Sequence, residues 1–334
     1  MKKLLVVAIA VVLASFAYAE GEQDFPTKDI TNTVVFGAGG GTDLCNRTVS
    51  AEMAKALKVS IAVVNKPGGV AGSLGMLDVY SKPHDGYNLA GLSESSVTAA
   101  VQGGWDKKMD VWEPFIVGGS PDLISVTPDS PYKSIQELVA AAKANPSSIK
   151  SGASTAGSIH HLNLLAFEKG AGVKLQFIPY AGSGPAQNAA MTGEISLVIT
   201  SIAEQAQLIR GGKLRPLAML VPDDFMIADV GTIPSAFKTI SGLSQYLPLA
   251  QAIGMAVPAD TPEPIKAKLR AAFLTAMGTE PVQKWLKDNY YQSSGKVGKE
   301  AQAHFAKLES TFSWTLWELG AAKVDPATLN IPKP

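Results

Sequence analysis

Seven residues near the start of the chain, Gly37-Ala38-Gly39-Gly40-Gly41-Thr42-Asp43, carry the most distinctive chemistry in the sequence. Glycines there let backbone approach a bound group closely. Residues 33–36 before them are β-branched or aromatic, as a strand prefers. The run through Arg47, Met53 and Leu57 after them reads as a helix, with Thr42 or Asp43 the expected cap. A helix start presents unpaired N–H groups and a positive dipole end, so such a turn suits an anion. The same residues also make an ordinary strand-to-helix turn. Nucleotides are disfavoured: counted from Gly37, the last position of G-x-G-x-x-G is Thr42, and no G-x-x-x-x-G-K-[ST] occurs.

A second small-residue turn, Ser154-Thr155-Ala156-Gly157-Ser158, precedes a helix expected to begin at Ile159 or His160. Neither turn contains lysine or arginine, so a carboxylate held there would rest on N–H groups and the hydroxyls of Thr42, Thr155 and Ser158. His160 and His161 raise the question of a metal. Adjacent helix residues point apart, only His84 and His304 remain, and no H-E-x-x-H exists, so no metal is expected. His161 is expected to steady the loop or line a cleft. Ser158 and His161 also admit a hydrolase reading, but no G-x-S-x-G sets a serine on a strained turn. Asp43 and Arg47 stand four apart and read as a surface helix pair, with Asp43 a cap. Cys45 reads as inert helix packing.

These turns need strands and helices to hold them. Residues 60–65 and 87–92 read as further strands, with a helix over 72–79 between them. Strand, helix, strand, helix, strand is the pattern of a parallel sheet, whose ligands sit beyond the strand carboxyl ends. Ser95 and Ser96 follow such an end. Strands are expected over 115–119 and 122–126, then at 149–153, 174–180, 195–202 and 214–221, with helices over 134–144 and after Gly182-Ser183. Residues 250–257 read as a strand returning to the first unit, and everything beyond as helical. Phe305, Leu308, Phe312, Leu316 and Leu319, with Trp314 and Trp317, form a core-facing stripe. The tail from Asp325 is expected to lie loose on the surface.

Residues 1–19 have the form of a secretion leader: Lys2 and Lys3, an apolar run, then Ala17-Tyr18-Ala19. That run is too short to span a membrane. A single cysteine excludes an internal disulfide, so the fold rests on its core; 334 residues, 46% hydrophobic, suffice for two lobes. Among 29 basic and 29 acidic residues there is no basic run of the kind that binds nucleic acid.

Several motifs together resemble the solute receptors of the tripartite tricarboxylate transporter family, the Bug-type receptors. They are Gly39-Gly40-x-Thr42-Asp43-x-x-x-Arg47, Asn65-Lys66-Pro67-Gly68 and Asp85-Gly86-Tyr87, then Gly157-Ser158-x-x-His161-Leu162 and Pro179-Tyr180-x-Gly182-Ser183-x-Pro185. Gly212-Lys213-Leu214-Arg215-Pro216 and Val257-Pro258-x-x-Thr261-Pro262 complete the set. The resemblance implies an α/β fold of the type II periplasmic binding protein class: a leader at 1–19, one lobe of 20–122 plus 247–334, and a second of 123–246. It implies a small di-, tri- or aromatic carboxylate in the interlobe cleft, held by Ala38, Gly39, Gly40, Gly41, Thr42, Asp43, Ser95, Thr155, Ala156, Gly157, Ser158, His161, Gly182 and Ser183. It further implies a periplasmic, monomeric receptor without cofactor or catalysis that docks on a membrane permease; a sensor docking on a signalling protein would share the same lobes. Three positions depart from the pattern: Thr155 stands where a glycine is usual, Ala181 where lysine is frequent, and His84 is an extra residue before Asp85.

Overall fold

The computed structural model describes residues 25–249 and 251–334; the expected leader lies outside them. The chain forms two mixed sheets with helices against both faces. The first sheet contains β1 (Ile30–Val34), β2 (Ile61–Asn65), β3 (Asn88–Ser93), β4 (Trp112–Gly119), β12 (Ile253–Pro258) and β13 (Gln292–Lys296), in the order β13-β4-β12-β3-β1-β2. β1 pairs parallel with β2 and β3, and β12 runs antiparallel between β3 and β4. The second contains β5 (Asp122–Val126), β6 (Lys150–Ala153), β7 (Gln176–Pro179), β8 (Leu197–Ser201) and β9 (Arg215–Met219), in the order β7-β6-β8-β5-β9. The chain crosses from one sheet to the other at Ser120-Pro121, so that Asp122 opens β5, and returns before β12.

Alternation along the strands explains why both sheets are covered twice. In β12, Ile253, Met255 and Val257 join one core cluster while Ala256 joins another. In β8, Leu197 and Ile199 face one cluster and Val198 the opposite one. Side chains on a strand alternate between faces, so each sheet separates two apolar layers. Helices α1 (Gly41–Leu57), α7 (Glu263–Met277) and α8 (Glu280–Asp288) cover one face of the first sheet, and α9 (Gly298–Glu318) the other. Helices α2 (Ser73–Tyr80), α3 (Ile135–Ala144), α4 (Ile159–Ala171), α5 (Ser183–Met191) and α6 (Ile202–Arg210), like α1, connect successive strands.

Several expectations are corrected. β1 begins three residues before position 33 because Asn32, a poor strand former, is buried and donates to Asn46 Oδ1 (2.8 Å) and Ser50 Oγ (3.1 Å) on α1. The region after β12 is not all helical: β13, the polar stretch Gln292-Ser293-Ser294-Gly295-Lys296, pairs with the edge of β4, where alternation of apolar residues is not required. A short hairpin, β10 (Phe225–Ile227) with β11 (Gly231–Ile233), was also not foreseen. In the α9 stripe Phe305, Leu308, Phe312 and Leu316 are buried, but Trp317 is 41% exposed and Leu319 lies past the helix end. The tail is not loose. Ile331 is buried in the core, and Ser310 and Trp314 donate to the Pro332 carbonyl at 2.7 and 3.0 Å.

Candidate functional site

The glycine turn leads from β1 into α1, which begins at Gly41 with Gly40 as its cap residue. Neither Thr42 nor Asp43 takes the cap position. Asp43 instead sits in the first helical turn and reaches back, accepting the Gly39 N–H at 2.9 Å. Its other oxygen accepts from Arg47 Nε (2.9 Å) and Asn65 Nδ2 (2.9 Å). Burial alone would raise the Asp43 carboxyl, but the bonds from Arg47, Gly39 and Asn65 outweigh it and hold it below its ordinary range. Asp43 and Arg47 thus brace the turn from behind.

The second turn leads from β6 into α4, capped by Ser158, whose hydroxyl accepts the His161 N–H. The Gly157 N–H donates to His161 Nδ1 at 3.1 Å, and the His161 ring stacks on Phe177 at 4.1 Å. Burial lowers the His161 pKa to about 4, keeping it neutral and able to accept. Ser158 and His161 therefore each hold backbone, and the hydrolase pairing of hydroxyl with imidazole is not formed. The sequence reading that His161 steadies its loop agrees with this geometry.

The turns from the two sheets touch. Gly37 N–H donates to the Ala181 carbonyl at 2.8 Å, and a β-carbon built on Gly184, in the first turn of α5, would meet the Ala38 carbonyl at 2.8 Å. On the far side, the Thr98 hydroxyl donates to the Gly157 carbonyl (2.6 Å) and the Ile159 N–H donates to Ser95 Oγ (3.0 Å). Between these contacts lies a polar cavity of about 10 Å³, room for roughly one water molecule. The first-sheet side contributes Phe36, Gly40, Gly41, Thr42, Ser93, Glu94, Ser95 and Gln251, and the second-sheet side Ser154, His160, Ser183 and Glu204. Of the expected site residues, Gly40, Gly41, Thr42, Ser95 and Ser183 line it; Ala38, Gly39, Asp43, Thr155, Ala156, Gly157, Ser158, His161 and Gly182 form the surrounding turns.

Sequence reasoning missed the charged members of this cavity. Glu204 stands three residues after Ser201 in a reciprocal capping box at the start of α6, accepting from the Ser201 N–H and hydroxyl at 2.9 Å each. Its other oxygen accepts the Gly41 N–H across the cleft at 2.7 Å. The S-x-x-E spacing was visible in the sequence, but its reach to α1 was not. His160 lies 2.7 Å from Asp122 Oδ2 and 3.4 Å from Glu204 Oε2, all three side chains being buried. Burial alone would lower the His160 pKa; Asp122 and Glu204 outweigh it and raise it to about 9. Glu94 accepts from the Ser95 hydroxyl (2.9 Å) and the Ala252 N–H (2.6 Å), and burial lifts its pKa to about 7. Among the described residues no cluster of side chains has the makings of a metal site.

The family model described as the tripartite tricarboxylate transporter family receptor matches residues 45–310, most of the chain. The chain belongs to this family. As a receptor of this family it is similar to a protein of Cupriavidus necator encoded in the gbd 5′ region, 29% identical over 312 residues, covering 91% of this chain and 92% of that one. Its fold matches the periplasmic binding protein BugD, with a TM-score of 0.81 and 24% identity over 89% of this chain and 99% of that one. It also matches MatC of Rhodopseudomonas palustris with bound malate, with a TM-score of 0.78 and 24% identity over 87% of this chain and all of that one (100%). The receptor architecture expected from the sequence is therefore that of periplasmic binding proteins, and the small cavity occupies the place between its two sheets. No helix among the described residues is long and apolar enough to cross a membrane.

Proposed function

We propose that this receptor is exported to the periplasm, captures a small carboxylic acid between its lobes, and presents it to the membrane permease of a tripartite tricarboxylate-type transporter. The lobes are 20–122 with 247–334, and 123–246. The observation that carries this reading is the meeting of the starts of α1 and α5, from different sheets, with the α4 residue His160 at one polar cavity. Helix starts with small residues offer N–H groups without a steric barrier, and Thr42 and Ser183 add two hydroxyls, while the Ser95 hydroxyl is already given to Glu94. The malate held by MatC is an acid of the class proposed.

A cavity of about 10 Å³ does not admit such an acid, so the lobes open to receive it and close on it. A ligand touching both lobes favours the closed form by its differential affinity, and the closed surface is what a permease reads. No cofactor, nucleic acid or catalytic step takes part, and the receptor acts as a monomer. The test is deletion of its gene followed by uptake measurements with labelled mono-, di- and tricarboxylates and aromatic acids. Loss of uptake of the acid that the purified receptor binds is the expected result. Unchanged uptake of that acid would remove the permease from the account and leave a sensor.

A further inference from the structure

We infer that the cavity beside the exposed face of α9 is a second binding site, one that takes a small organic amine as its ammonium ion. It measures about 400 Å³ and shares no lining residue with the cavity between the lobes. Three pieces of chain wall it: α9, the short turn Met109–Val111, and the end of the tail at Pro332. Gln302, Ala303, Ala306 and Glu309 follow one another along α9 so that one face of the helix borders the space. Ala303 and Ala306 end at Cβ and leave room that longer side chains would fill.

The walls are held in place. Ser310 and Trp314 donate to the Pro332 carbonyl, at 2.7 and 3.0 Å, and Glu309 Oε1 accepts the Met109 N–H at 2.9 Å. Met109, Ala303, Ala306 and Pro332 give the cavity an apolar lining. A concave apolar space of this volume, with a few polar groups to orient what enters, is the common form of a small-molecule site.

Glu309 decides the chemistry of the ligand. It is only 6% exposed, yet it lines the cavity. Its second oxygen, Oε2, has no hydrogen-bond partner among the described residues and is not sealed from solvent. Burial raises the Glu309 carboxyl to about 7, against the pull of the Met109 N–H, so it is ionised above neutrality. Asp110 adds a second negative charge, and Lys108, the one cation among the lining residues, lies 3.4 Å from Asp110. A carboxylate largely out of water with an unused oxygen is matched by a charged N–H donor. An ammonium on an apolar stem satisfies both the oxygen and the walls; an alcohol of the same stem forgoes the ion pair.

The test is calorimetric titration of the mature protein at pH 8 with benzylamine and hexylamine, against benzyl alcohol and hexanol as neutral counterparts. At least one amine is expected to bind at least about tenfold more tightly than its alcohol. Glu309→Gln keeps an oxygen for the Met109 N–H and removes the charge; it should weaken that amine by a similar factor. Ala306→Trp, made at an exposed position, should fill the cavity and do the same. Failure of both amines to bind, or equal binding of amine and alcohol, would overturn the inference. So would amine binding that is undiminished in both folded variants, which would put the amine elsewhere on the protein. None of these outcomes bears on whether the cleft takes a carboxylic acid.

Discussion

His160 Nδ1 lies 2.7 Å from Asp122 Oδ2, with both side chains buried where α4 of the second lobe meets the first residue of β5. The imidazole also faces Glu204 and Glu94. Its pKa rises from 6.5 to about 9 in the folded protein, so the folded state holds a proton that the unfolded state releases. That contribution is fully present below pH ~6.5 and is lost as pH rises through about 9, an effect on the order of 3 kcal/mol. Glu94, raised from 4.5 to about 7, also lowers stability as pH rises, but in the window below pH 7. Melting temperature is therefore expected to fall between pH 7 and 9. In a folded His160→Asn variant that decline should shrink; an undiminished decline would remove His160 as its cause.

Asp43 ties Gly39, Arg47 and Asn65 together behind the glycine turn. Replacing it with alanine leaves three donors without their acceptor. The expected loss is about 1–3 kcal/mol in urea unfolding, in line with lost caps and charged hydrogen bonds. A loss below about half a kcal/mol would mean that water serves the turn equally well.

Gly184 tests lobe closure separately from folding. It lies inside α5, where alanine is the better helix former by about 0.5–1 kcal/mol. Yet its β-carbon would meet the Ala38 carbonyl of the facing lobe at 2.8 Å. Gly184→Ala is expected to leave the melting temperature of the free protein unchanged or higher, while weakening ligand binding at least about tenfold, roughly 1.4 kcal/mol. Undiminished affinity would show that binding does not need this approach of the lobes.

The α9 stripe separates burial from sequence spacing. Phe305 is 2% exposed and Trp317 is 41% exposed. Phe305→Ala should cost about 3–5 kcal/mol, through lost burial and a cavity. Trp317→Ala should change stability by no more than about 0.5 kcal/mol. Equal losses from the two would contradict the packing described for this helix.

The order of strands and helices was largely legible because buried two-faced strands and their glycine turns leave local signals. What escaped were elements whose cause is not local. β13 is polar because it needs only the edge of β4, and Asn32 sits in β1 because α1 supplies its partners. At the site, the glycine turn and Ser95 announced themselves, and Gly40, Gly41 and Thr42 do line the cavity. Glu94, His160 and Glu204 did not, because their meeting joins residues far apart in the chain. Of the two neighbouring histidines, the sequence favoured His161; the direction of the first turn of α4 instead puts His160 in the cavity and His161 against Phe177.

The most direct test of the central claim is a thermal-shift screen of the ligand-stripped mature protein. The panel holds mono-, di- and tricarboxylates, aromatic acids and their amides, with sugars, nucleotides and divalent metals as controls. A ligand at a hundred times its Kd adds about 2.7 kcal/mol, a visible rise in melting temperature. The account predicts a rise with at least one carboxylic acid, lost in a folded variant carrying a bulky residue at Gly40. A rise with a sugar, nucleotide or metal, and with no acid, would contradict it.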